Sequence, residues 1–167
     1  FEGALKIFLL LNGDNYPAVA TSYSYIGQIY FAQNDYSKAL DYFKKSLKIV
    51  LSVYGENHSQ VSSIYDHIGE IYFAQKDYSK ALYYFEESLK IRLSLFGENH
   101  PEVALSYYSI GSLYIIQGDK SKALNYYEKS LKIRLSVYGE NHPLTKEIMD
   151  LINVANSKVL QSPETTK

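Results

Sequence analysis

Along residues 61–73 the large apolar side chains fall at Val61, Tyr65, Ile68, Tyr72 and Phe73. Intervals of three and four from Val61 to Tyr72, with Phe73 adjoining, put them on one face of a helix of about four turns. Lys76-Asp77 then breaks the pattern, as Asn34-Asp35 and Gly118-Asp119 do elsewhere. Gly and Asn accept a left-handed backbone, so the spacing predicts a tight helix–helix turn, with Lys76 the least comfortable occupant. The Asp that follows can cap the next helix by accepting from its free N–H groups. That second helix carries Ala81, Leu82, Phe85, Leu89, Ile91 and Leu93, extended by Leu95 and Phe96, and Gly97 ends it. Each such unit reads as a helical hairpin, with helices of roughly 15–18 residues at 1.5 Å rise per residue.

The pattern recurs with a period of 42 residues across positions 16–141. Gly27, Gly69 and Gly111 set the register; Ala39, Ala81 and Ala123 keep the same step, and so do Gly55, Gly97 and Gly139. A repeat this regular marks a solenoid. Gly69 and Ala81, both small, are expected to face each other where the two helices of a hairpin meet. Pro101 and Pro143 open helices, where a missing N–H is no loss.

The string Tyr65-x-x-Ile68-Gly69-x-x-Tyr72, followed by Ala81 and Phe85, resembles a tetratricopeptide repeat. Unit one supplies Tyr23, Ile26, Gly27, Tyr30, Ala39 and Phe43; unit three supplies Tyr107, Ile110, Gly111, Tyr114, Ala123 and Tyr127. The longer period, with Gly-Glu-Asn-His-Pro between units, is similar to the repeats of kinesin light chains and their relatives. The resemblance implies an all-α fold, a right-handed superhelix of antiparallel hairpins. The expected organisation is the second helix of a preceding repeat at 1–15, units at 16–57, 58–99 and 100–141, a capping helix at 142–160 and a disordered tail at 161–167. Residues 1–15 match 43–57, and no Met opens the chain, so a piece of a longer array is expected.

Composition narrows the function. The net charge of −1 gives no footprint for nucleic acid or an acidic membrane. There is no cysteine, hence no disulfide framework or thiolate nucleophile. No signal peptide or span of about 18 apolar residues is evident, and a cytoplasmic location is expected. Eighteen tyrosines and no tryptophan suit helix seams that are partly wet. His58, His100 and His142 recur at the repeat step. Equivalent atoms in stacked repeats lie about 10 Å apart on helix-packing distances, whereas zinc ligands sit about 2 Å from one ion. These histidines therefore read as helix-start residues. No metal, cofactor or catalytic residue is expected, and no phosphate loop or nucleotide fingerprint is present.

The resemblance implies that first helices line a concave groove. Its candidate residues are Ser24, Tyr25, Gln28 and Phe31 in unit one, Asp66, His67, Glu70 and Phe73 in unit two, and Tyr108, Ser109 and Ser112 in unit three. They differ between units whose framework is otherwise alike. No charge occurs from Pro17 to Gln33, while Asp66, Glu70 and Glu102 stand on the next two first helices. The groove lacks the basic clamp that related modules use for acidic tails, and it lacks the paired Asn of kinesin light chains. A neutral, aromatic ligand with one basic residue near Asp66 and Glu70 is expected. Lys44, Lys45, Lys48, Lys90 and Arg92 on the second helices read as a solvated face. The function expected is a protein–protein interaction module binding a peptide or partner protein. The alternatives are a spacer, a scaffold that self-associates through exposed terminal helices, or the regulatory region of an enzyme elsewhere in a parent chain.

Overall fold

The structure, a computed structural model, describes residues 17–157. Seven helices follow one another there: α1 (Pro17–Ala32), α2 (Tyr36–Tyr54), α3 (Ser59–Ala74), α4 (Tyr78–Phe96), α5 (Pro101–Gln117), α6 (Lys120–Tyr138) and α7 (Pro143–Ser157). The expected half-hairpin at 1–15 and tail at 161–167 lie outside the described residues. The described chain forms two compact bodies, one ending at Leu95 and the other starting at Phe96.

The turns within hairpins follow the sequence logic. Asn34 and Lys76 take positive φ, 61° and 63°, beside Gly118 at 82°. The Asp35 carboxylate accepts from the Lys38 backbone N–H at 3.2 Å, Asp77 from Lys80 at 3.2 Å and Asp119 from Lys122 at 3.1 Å. In each case the lysine ammonium folds back onto the same carboxylate. These bonds hold Asp35, Asp77 and Asp119 below the usual carboxylate range.

The junctions between units use glycine and histidine. Gly55 closes α2 at φ 78°, ψ −176°, and Gly139 closes α6 at φ 79°, ψ 170°. That region is open essentially to glycine alone. His58 Nδ1 accepts from the Gln60 N–H, His100 Nδ1 from Glu102 and His142 Nδ1 from Leu144, each at 3.2 Å. Each imidazole also stacks on the aromatic residue ending the previous helix: Tyr54, Phe96 or Tyr138, with ring centres 4.2–4.5 Å apart. The repeating histidines thus start helices, their ring nitrogens taking the part a Ser or Asp oxygen usually plays.

Within the first body, Val19, Ile26, Phe43, Ile49, Val61, Ile64, Ile68 and Ile71 are buried in one core. In the second, Val103, Ile110, Leu113, Ile133 and Ile148 are buried, and α7 packs on α6. Leu95 and Phe96, expected to extend the apolar stripe of α4, are instead exposed.

The hairpin seam differs from the expectation in one respect. Ala39, Ala81 and Ala123 are fully buried, but the glycine of each first helix meets the aromatic ring one turn further along the second. A Cβ at Gly69 would stand 2.7 Å from the Phe85 ring, and one at Gly111 2.7 Å from the Tyr127 ring. At Gly27 the corresponding distance to Phe43 is 3.1 Å. Glycine is needed because a flat ring lies directly on the helix backbone.

Candidate functional site

In the first body, α1 and α3 flank a cleft of about 180 Å³. Thr21, Ser24, Tyr25 and Gln28 line it from α1, and Gln60, Ser63, Ile64 and His67 from α3. Ser46 and Val50 of α2 complete the lining. Four residues expected in a groove, Ser24, Tyr25, Gln28 and His67, therefore come together.

The helical period explains the grouping. Residues 21, 24, 25 and 28 share one face of α1, and 60, 63, 64 and 67 share one face of α3. Ser46 is buried and donates to the Ala20 carbonyl at 2.7 Å. Its only proton is spent there, so Ser24, 2.8 Å away, donates to Ser46. The Gln28 amide N lies 3.1 Å from His67 Nε2, and His67 Nδ1 lies 3.2 Å from Glu70 Oε2. An amide N can only donate, so His67 accepts at Nε2 and its proton sits on Nδ1, facing Glu70. The ring also stacks on Phe43, with centres 5.0 Å apart. His67 is thus held on three sides, whereas Tyr25 is 54% exposed. The Gln60 Oε1 atom is buried and finds no hydrogen-bond partner among the described residues.

Asp66 departs from its expected role. Its carboxylate lies 2.7 Å from the guanidinium of Arg92, whose side chain is only 5% exposed. Burial raises the Asp66 carboxyl above the usual range, opposed by Arg92 and by the Ser88 hydroxyl. Its charge is met within the unit by the buried guanidinium. The expected solvated face is corrected by the same pair. Lys44, Lys45, Lys48 and Lys90 are exposed, but Arg92 and Arg134 are buried.

Phe31 and Phe73 turn toward the hairpin turns, against Tyr36 and Tyr78, with ring centres 5.8 and 5.9 Å apart. Neither lines the α1–α3 cleft. In the second body the Tyr108 ring lies under Arg134, 4.9 Å from its guanidinium carbon, and its hydroxyl donates to Glu147 at 3.0 Å. Burial, then the Glu147 carboxylate, pushes the Tyr108 phenol upward. Ser112 donates to the Tyr108 carbonyl at 3.0 Å and bonds the Tyr127 hydroxyl at 3.1 Å. Ser109 is half-buried.

Sequence reasoning missed Ser46, Val50, Gln60 and Ile64. One signal existed: Ser46, Ser88 and Ser130 recur at the repeat step inside an apolar face, and Ser130 repeats the bond of Ser46 by donating to Ala104 at 2.7 Å. Among the described residues no three His, Cys, Asp or Glu side chains gather as a metal would require. No described helix is long and apolar enough to cross a membrane.

Three solved structures share the architecture. One is BtubC (BKLC) from P. vanneervenii, at 20% identity and TM-score 0.71, covering 91% of this chain and 69% of that one. A second is a putative kinesin light chain from Podospora anserina with nearly identical TPR-like repeats, at 15% identity and TM-score 0.71, covering 96% and 86%. The third is the N-terminal domain of stress-induced protein-1 (STI-1) from C. elegans, at 16% identity and TM-score 0.62, covering 84% and 96%. At these identities the likeness is one of fold. No curated protein matches the sequence. The family model for the tetratricopeptide repeat matches residues 1–52, 36–94 and 60–136. With the 42-residue period and the paired helices, this establishes that the chain belongs to the tetratricopeptide-repeat family.

Proposed function

We propose that the chain is a protein-interaction module, not an enzyme, and that it holds an extended segment of a partner protein in the cleft between α1 and α3. The observation that carries this reading is the lining of that cleft. It is uncharged, it has an apolar patch at Val50 and Ile64, and it contains one buried acceptor, Gln60 Oε1, with no donor among the described residues. An acceptor in that state favours an incoming N–H or O–H group. Repeat arrays typically present extended surfaces to partners, and the candidate positions here vary while the framework repeats. Because Asp66 is paired with Arg92 and neither Asp66 nor Glu70 lines the cleft, the segment in contact with the cleft is uncharged, with an amide or hydroxyl donor aimed at Gln60.

The test is a display screen of random peptides against the chain, with Tyr25→Ala and Gln28→Ala in parallel. Both positions are exposed, so the variants should keep the parent melting temperature. An enriched uncharged motif that both variants lose supports the cleft. No enrichment from folded protein, or a motif indifferent to both substitutions, rejects it. A concentration-dependent oligomer without peptide enrichment would favour the scaffold reading.

A further inference from the structure

A second cavity, of about 400 Å³, lies apart from the cleft in the first body. Glu56 and Asn57 of the α2–α3 connector, Tyr65 of α3, and Tyr83, Glu87 and Lys90 of α4 line it. Its meaning comes from comparing the repeats. In unit one, Tyr23 and Tyr42 pair with ring centres 5.9 Å apart, and the Lys45 ammonium lies over both, 5.8 and 4.9 Å from their centres. In unit three, Tyr107 and Tyr126 pair at 6.0 Å, and Lys129 lies over both at 5.5 and 5.3 Å. Unit two keeps the ring pair, Tyr65 and Tyr84 at 5.7 Å, but Glu87 stands where the other units have lysine.

A second change converges on the same place. Tyr83 replaces Asp41 of unit one and Asn125 of unit three. It is 59% exposed and meets Tyr84 edge-on at 5.2 Å. The unit-two cavity thus has two carboxylates against one ammonium and an added aromatic wall. Its counterpart in unit three is about 220 Å³, with Glu98 against Lys129 and Lys132. Lys90 does not replace the missing cation: its side chain is 78% exposed and stands 3.9 Å from Glu87. Among the described residues no ammonium lies over the Tyr65 or Tyr84 ring.

We propose that this cavity is a receptor for a lysine side chain supplied by a basic segment of a partner protein. The ammonium would take the place that Lys45 and Lys129 fill in the sister units, over the faces of the ring pair, with Glu56 and Glu87 neutralising it. Ring faces attract cations, and the carboxylates set the sign of the field. Burial, then the Tyr83 hydroxyl, then Glu87 and Glu56, raise the Tyr65 phenol, in keeping with a site short of positive charge. The inference does not depend on the α1–α3 cleft.

The probe is the peptide acetyl-Gly-Lys-Gly-amide, titrated while tyrosine ring resonances are followed by NMR. Its norleucine counterpart has the same apolar stem without charge. Saturable shifts confined to Tyr65, Tyr83 and Tyr84, seen with lysine and not with norleucine, are expected. Glu87→Lys supplies an internal ammonium and should weaken binding by more than about tenfold, since like charges would then meet. This variant carries the residue that two sister units already hold, and circular dichroism checks its fold. Equal shifts with norleucine, no shifts at Tyr65 and Tyr83, or unchanged binding by folded Glu87→Lys would each overturn the proposal. Tyr25→Ala should leave these shifts intact, which separates this site from the cleft.

Discussion

Units one and two solve one packing problem with opposite chemistry. Where unit one places Ser24 and Val50, unit two places Asp66 and Arg92. The first pair needs only a hydroxyl bond to Ser46 and a buried methyl surface. The second buries an ion pair at 2.7 Å. Unit three makes a third choice, Tyr108 under Arg134. The backbone pattern is shared, so these side chains are free to vary only as matched sets. A change in one member without the other leaves a buried group unmet.

Exchanging residues between the two units tests this directly. The largest effect is expected from Asp66→Ser alone. It takes the carboxylate away from the buried Arg92 guanidinium and should cost about 2–4 kcal/mol, toward the lower side of buried-pair values because Asp66 keeps some solvent contact. Arg92→Val alone leaves the carboxylate buried. Its stability should rise as pH falls, because a raised folded-state pKa means that the native state binds the proton more tightly than the unfolded chain does. Together, Asp66→Ser and Arg92→Val recreate unit one and should return close to the parent. Urea unfolding of the four proteins gives the coupling energy, and additive losses would end the matched-set account.

The glycine seam ranks next. Gly69→Ala forces a methyl against the Phe85 ring and should cost on the order of 1–3 kcal/mol. At Gly27 the ring stands 0.4 Å further from the built Cβ (3.1 against 2.7 Å). There the helix-propensity gain of about 1 kcal/mol offsets the contact, so Gly27→Ala should be near neutral. Equal melting-temperature losses at both sites would show that ring distance does not decide the outcome. A smaller effect of opposite sign is expected at the turn. Lys76→Asn installs the residue of unit one at a positive φ and should stabilise by roughly 0.5 kcal/mol, since Asn tolerates that backbone better. A lower melting temperature would contradict it.

The smallest effect is one the units share. Asp35, Asp77 and Asp119 have lowered folded-state pKa values. Their contribution is therefore present above the ordinary carboxylate value of 3.8 and is lost as pH falls below it. A variant with all three changed to Asn should lack that component of acid destabilisation. Melting curves between neutral pH and about pH 2 compare the two slopes, and identical slopes would assign acid sensitivity elsewhere.

Much of the fold was legible because its signals are local. The spacing of Val61, Tyr65, Ile68 and Tyr72, the Asp caps and the closing glycines each act within a few residues, and a period of 42 repeats them until chance is excluded. The grouping of Ser24, Tyr25, Gln28 and His67 was legible because outward positions on helices of one kind share a face. The pairing of Asp66 was hidden. Arg92 reads as one more cation on a polar stretch, and its burial depends on the rotation of α4 against α3. Phe31 and Phe73 occupy helical positions near the groove set, yet each lies at a helix end, where a tyrosine of the next helix captures it.

The chain's own pattern determined the repeat, the hairpins, the turn residues and the helix starts, since each is set by backbone preference and hydrophobic period. Tertiary structure alone decided that Phe85 covers Gly69, that Asp66 is neutralised, that Ser46 and Val50 line the cleft, and that Glu87 opens the ring pair other units close with lysine. These facts depend on the rotational phase and separation of helices far apart in sequence. That phase is the outcome of packing many side chains at once, and no local spacing encodes it.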